Sequence, residues 1–138
     1  MDLALAETAG VETIAPSGAA YGWTRKQGGI AAGGTVAVCG RRHAINARAI
    51  VDDTCAYYEC HTAWQWSAGI GADPDGRALA WNLVAGINDP PAGSERDENR
   101  LLVRSRYRQP FGTFAGELVP GLTLARGLGV MEDHDVHW

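Results

Sequence analysis

The sequence predicts an all-β protein, an antiparallel meander forming a partial barrel or a sandwich. Three observations lead there. Short apolar stretches alternate with polar residues at a period of two, the spacing that sends successive side chains to opposite faces of a strand. Eighteen glycines and six prolines are spread along the whole chain, as turns between many short strands require. No stretch of ten or more residues carries a convincing 3.6-residue apolar period.

In chain order, residues 35–38 form a first clear strand, and Cys39-Gly40-Arg41 reads as a turn into a second strand over 43–51. The Ala-rich start and residues 52–58 are the two helical candidates. Along 62–70, strand geometry puts Trp64, Trp66, Ala68 and Ile70 on one face and Gln65 and Ser67 on the other. Asp73-Pro74-Asp75-Gly76 supplies turn chemistry, with proline fixing φ and glycine free to make it positive. Residues 77–87 then alternate again, with Leu79, Trp81, Leu83, Ala85 and Ile87 on one face and Asn82 opposite. The pair reads as a hairpin, with Trp81 expected across from Trp64 and Trp66. Asn88-Asp89-Pro90-Pro91-Ala92-Gly93-Ser94 opens a polar loop, and Asn88-Asp89-Pro90 initiates a turn. Strands resume over 100–108, 111–118 and, after Pro120-Gly121, 122–125; residues 129–138 extend the pattern. Residues 1–138 are expected to make one β domain, with 1–21 a poorly ordered or atypical N-terminal segment.

Composition narrows the function classes. A chain of 138 residues, 46% hydrophobic and 20% charged, has the material for one core and little room for two domains. Sixteen acids against twelve Lys and Arg give a net charge of −4, which argues against a general nucleic-acid binder. No apolar run approaches the ~20 residues of a membrane span, and Met1 to Glu7 lacks the basic start of a secretory signal. The expectation is a soluble, cytoplasmic protein. Cys39, Cys55 and Cys60 are odd in number and lack C-x-x-C spacing, so neither a disulfide framework nor a zinc site is expected. Buried or idle thiols are the plain reading, and a reactive thiol at Cys60, beside His61, the sharper one.

Three groups could carry chemistry. In the C-terminal run, Glu132 and His134 share a strand face with Val130, Val136 and Trp138, whereas Asp133, Asp135 and His137 share the other. Glu132 and His134 could form an acid/base couple in a pocket, because imidazole titrates near neutral pH; the plain alternative is a solvated strand end. A metal set is not read, since His134 and His137 point apart. Arg96, Arg100, Arg104, Arg106 and Arg108 fall within thirteen residues. They read either as a wet strand face paired with Glu117 or the C-terminal acids, or as an anion site. Trp64, Trp66 and Trp81 are either core or the walls of a cavity for an apolar molecule, with Asn82 or His61 as polar contacts. Nucleotide-binding and nucleophile-elbow motifs are absent, and no cofactor is implied.

Several segments taken together, Thr62-Ala63-Trp64-Gln65-Trp66-Ser67-Ala68-Gly69, Asp75-Gly76-Arg77, Asn82-Leu83-Val84-Ala85-Gly86-Ile87-Asn88-Asp89, Glu98-Asn99, Gln109-Pro110-Phe111-Gly112-Thr113-Phe114-Ala115-Gly116 and Gly127-Leu128-Gly129-Val130-Met131-Glu132-Asp133-His134, carry a resemblance. In this combination the chain resembles the bacterial family known as domain of unknown function 2804, over about residues 22–138. The resemblance implies a lipocalin-like, calycin-type antiparallel barrel with an apolar cavity, and transfers no catalytic residue. It also implies that the chain corresponds to the C-terminal part of longer members, with a short step between Ser94 and Asn99. An open sheet edge, and hence an edge-paired homodimer or marginal stability, follows from that expectation. Three functions are thus in play: a module binding an apolar small molecule, a truncated member without activity, and a hydratase- or isomerase-type enzyme using Glu132 and His134.

Overall fold

The computed structural model describes residues 1–17, 20–85 and 104–137. It is all-β and built of antiparallel sheets that do not close into a barrel. Nine strands follow one another: β1 (Asp2–Leu5), β2 (Val11–Ser17), β3 (Ala20–Val38), β4 (Arg41–Ala56), β5 (His61–Ala72), β6 (Ala78–Ala85), β7 (Arg104–Arg108), β8 (Phe111–Val119) and β9 (Leu122–His137). The two sheets share one plan. In the first, the long β3 pairs with β4 along one side, while β1 and β2 lie in tandem along the other. In the second, β9 pairs with β5 along one side and with β7 and β8 in tandem along the other, and β6 extends the sheet beyond β5.

Where the sequence suggests short strands in the middle and at the end of the chain, the structure has longer ones. The strand expected over 35–38 is the end of the 19-residue β3, and the two expected over 122–125 and 129–138 are one continuous β9. Both long strands have partners on two sides, so backbone hydrogen bonding carries them across glycines that read as punctuation. Gly29, at φ 70°, absorbs a bulge in the β3–β4 register between Gly28 and Ile30. The helical candidates are corrected as well. Asp2–Leu5 pairs with β3, and Asp52 to Ala56 pair residue by residue with Lys26 back to Gly22. Cross-strand pairing overrides the local helical preference of these short segments. No helix of the structure is long and apolar enough to cross a membrane.

The expected turns are found. Cys39 and Gly40, at φ 49° and 76°, form a two-residue hairpin between β3 and β4 with the positive φ pair that matches strand twist. Asp73 and Gly76 hold the β5–β6 connection through Gly76 N–H to Asp73 O, 3.1 Å, and Arg77 N–H to Asp73 Oδ1, 2.8 Å. Pro120-Gly121 joins β8 to β9. The polar loop, the turn at Asn88-Asp89-Pro90, and Arg96, Arg100, Ile87 and Trp138 lie outside the described residues.

The sheets face each other through β3 and β4 on one side and β5 and β6 on the other. Where β3 meets β6, the backbone of Gly28 lies against the Ala80 methyl, so a Cβ at Gly28 would come within 2.6 Å of it. Buried apolar side chains among the described residues are few: Ile30, Ala32, Ala68, Trp81 and Leu124. The interior is thin. Large apolar residues such as Val11, Ile14, Phe111 and Leu128 remain mostly exposed.

The cysteines are free and exposed rather than buried, with Cys39 in a turn, Cys55 near the end of an outer strand and Cys60 in a connection. The arginine strand follows its plain reading. β7 places Arg106 opposite Asp135 and Arg108 opposite Asp133 on β9.

Candidate functional site: a cleft between the two sheets

Register decides which side chains meet. Trp66 pairs with Val84 and Glu132, Trp64 with His134, and Ala68 with Asn82. Directly paired residues share a face, so Trp64, Trp66, Glu132, His134 and Asn82 all lie on the face that carries Ala80 and looks toward β3. This face bounds a cleft of about 820 Å³ between the sheets, within the ~300–1,000 Å³ common for small-molecule sites. Its walls include Trp64, Trp66, Tyr58, Lys26, Asp52 and Glu132, with Pro16, Ala80 and Val84 as apolar lining.

Two polar clusters fix these walls. Around Asn82, the Trp66 indole N–H and the Lys26 ammonium both donate to Oδ1 at 2.8 Å, while Nδ2 donates to Asp52 Oδ2 at 2.9 Å. Lys26 also donates to Asp52 Oδ2 at 2.8 Å, and both side chains are about three-quarters removed from solvent. Asn82 thus ties β6 to β3 and β4 across the gap between the sheets. The sequence left open whether this amide joins structure together or contacts a ligand; its oxygen and nitrogen are engaged by protein groups.

Around Glu132, the Trp64 indole N–H donates to Oε1 at 2.8 Å. Tyr107 Oη and the Gln109 amide donate to Oε2 at 3.0 and 3.1 Å. Desolvation first, and then the hydrogen bond to the Glu132 carboxylate and its charge, hold the Tyr107 hydroxyl above its ordinary pKa. Tyr58, 5.8 Å from Trp64 between ring centroids, is likewise raised, by burial first and then by the Asp52 charge.

His134 shares the face of Glu132, as the alternation predicts, but its partners differ. The ring stacks on Trp64 at 3.5 Å and 9°, and its Nε2 lies 3.0 Å from the Thr62 hydroxyl. The two groups therefore stand two residues apart, each engaged with its own neighbours.

Trp81 departs from the expected arrangement. It pairs with Gly69 and so belongs to the face opposite Trp64 and Trp66. Although Trp81 counts among the residues bordering the cleft, its ring lies over Gly69, Gly127 and Gly129. A Cβ at Gly69 would overlap it. The indole N–H donates to Ser67 Oγ at 3.0 Å, and Phe114 covers the ring at 5.4 Å. The four described indoles do not gather under one layer, since Trp23 bonds Glu12 within the first sheet. Strand alternation gives each strand its two face sets but not which set lies beside which on the next strand. His61 also sits on the far face, paired with His137 and 3.0 Å from Asp135.

Lys26, Asp52, Tyr58, Tyr107 and Gln109 were not among the sequence candidates. Each is an isolated polar residue in its own strand or connection, and only pairing of β3 with β4 and of β7 with β9 collects them. Lys26 and Asp52 meet as partners in the β3–β4 register, which no local sequence pattern announces.

No curated protein and no solved structure matches this sequence. A family model described as Domain of unknown function (DUF2804) matches residues 1–96, which takes in the first sheet and the β5–β6 hairpin that carries Trp64, Trp66 and Asn82. The chain belongs to the DUF2804 family.

Proposed function

We propose that the cleft binds a small molecule with an apolar body, held against Trp64 and Trp66. The observation that carries this reading is that both indoles are anchored by their own N–H groups, Trp64 to Glu132 and Trp66 to Asn82. A tethered indole keeps its large apolar surface in place without losing rotamer freedom when a ligand arrives. Lys26 and Asn82 stand at the polar end of the same space. In this reading Trp81 and His61 serve the sheet rather than the ligand. The test is a fluorescence titration with polyenes and long-chain lipids. Saturable quenching that is weakened at least tenfold in Trp66→Ala but kept in Trp81→Phe is expected, and a flat response across a broad apolar panel would overturn the proposal.

A second observation concerns partners. Among the described residues β4 pairs only with β3, which leaves one edge of a 16-residue strand without a neighbour. We infer that a second copy pairs antiparallel along β4 in the register centred on Ala47, because that register sets Arg41 and Arg42 of each copy opposite Asp53 and Asp52 of the other. Light scattering should then show a dimer that Arg41→Glu with Arg42→Glu disperses. A monomer at all concentrations sinks it.

A further inference from the structure

We propose that His61, Asp135 and His137 bind a divalent transition-metal ion of the zinc, cobalt or nickel kind at the open end of the β5–β9 pair. His61 begins β5 and His137 ends β9, and the two are direct partners in the antiparallel register. Asp135 lies two residues before His137 and therefore on the same face. This face is turned away from the cleft, so the site is separate from the one proposed for an apolar ligand.

The side chains converge. The two imidazoles stack at 3.8 Å with 7° between their planes. Both Nε2 atoms are turned to the same oxygen, Asp135 Oδ1, at 3.0 Å from His61 and 3.8 Å from His137. The three ligand atoms all lie within 4.8 Å of one another. The first distance is that of a hydrogen bond, and the second, 3.8 Å, is longer than one and within ion-pair reach. A shared cation would draw all three groups together. Zinc bonds imidazole nitrogen at about 2.0–2.1 Å and carboxylate oxygen at about 2.0–2.2 Å, so ligand atoms around one ion stand roughly 3–3.5 Å apart. These side chains are about half exposed, so the two rings have room to open from their parallel stack and tilt both in-plane lone pairs toward one ion.

Two neutral imidazoles and one carboxylate suit borderline divalent ions. Three protein ligands leave further coordination positions to water. The bound ion would clasp the first residue of β5 to the last residues of β9, which otherwise meet only at strand ends. Arg106, opposite Asp135 in the register, adds a positive neighbour, and its charge makes the site one of moderate rather than extreme affinity.

The test uses the whole chain and cobalt(II) as the probe, read by its visible absorption, with zinc competition by calorimetry. One ion per chain is expected, with affinity reduced at least tenfold in His61→Ala and in His137→Ala and unchanged in His43→Ala, a histidine of β4 in the other sheet. On the unaltered protein, cobalt should broaden the ring resonances of His61 and His137 before that of His134, a readout that does not depend on any variant folding. No uptake, uptake equal in all variants, or broadening centred on other histidines would overturn the proposal.

Discussion

At the scale of single residues, Asn82 and Glu132 concentrate the polar chemistry of the cleft. Asn82 is bonded to three side chains from three strands. Its replacement by alanine removes the acceptor of the Trp66 and Lys26 groups in a half-buried setting, where an unmet donor costs about 1–3 kcal/mol. Asn82→Ala is therefore expected to lower stability by about 2 kcal/mol, with a lower urea midpoint and an unchanged slope. Tyr107 makes a pH-dependent contribution. Its phenol is favoured in the neutral form by the folded state, so the folded pKa exceeds the ordinary 10.0. Stability from this group is complete below the unfolded value and fades as pH rises through the higher folded one. Alkaline titration followed near 295 nm should show late-titrating tyrosines, Tyr107 and Tyr58, and Tyr107→Phe should remove one of them.

At the scale of strands and turns, sequence and structure agree most where local chemistry suffices. Cys39-Gly40, Asp73-Pro74-Asp75-Gly76 and Pro120-Gly121 are turns for stereochemical reasons that need no tertiary context. The first turn is imperfect, since Cys39 is the one non-glycine residue with positive φ among the described residues. Asparagine tolerates that conformation better. Cys39→Asn is expected to raise stability by about 0.5–1 kcal/mol, read as an upward shift of the unfolding midpoint. Strand length was less legible. Gly28-Gly29 and Gly33-Gly34 look like breaks along the chain, yet β3 runs through all four because β4 bonds it from end to end. The same reason turns residues 52–56 from a helical candidate into strand. The alternation over 62–70 and 77–85 correctly assigned every side chain to a face of its own strand. It could not show that Trp81 would meet Gly69 rather than Trp66, because that depends on the register set by the β5–β6 connection.

At the scale of the whole molecule, two similar sheets meet over a narrow seam. Five buried apolar residues make a small core for the described part of the chain, and the seam relies on the Gly28–Ala80 approach and the Lys26–Asp52–Asn82 cluster. A side chain at position 28 would act as a wedge. Gly28→Val is expected to cost about 1–3 kcal/mol and, by moving the sheets apart, to shift the emission of Trp64 and Trp66. An unchanged spectrum with unchanged stability would show that the seam is looser than drawn.

The sequence by itself determined the class of fold, the positions of the tight turns and the two faces of each well-patterned strand, because these follow from backbone stereochemistry and a two-residue period that act over a few residues. It also placed Glu132 with His134 and, separately, Asp135 with His137. Only the tertiary structure decided which faces look at each other, and therefore that Glu132 is bonded by Trp64, Tyr107 and Gln109, that the Trp81 ring lies over Gly69 on the opposite face, and that His61 joins Asp135 and His137. Those pairings link residues up to 76 positions apart along the chain, from His61 to His137, and strand register, not local preference, brings them together.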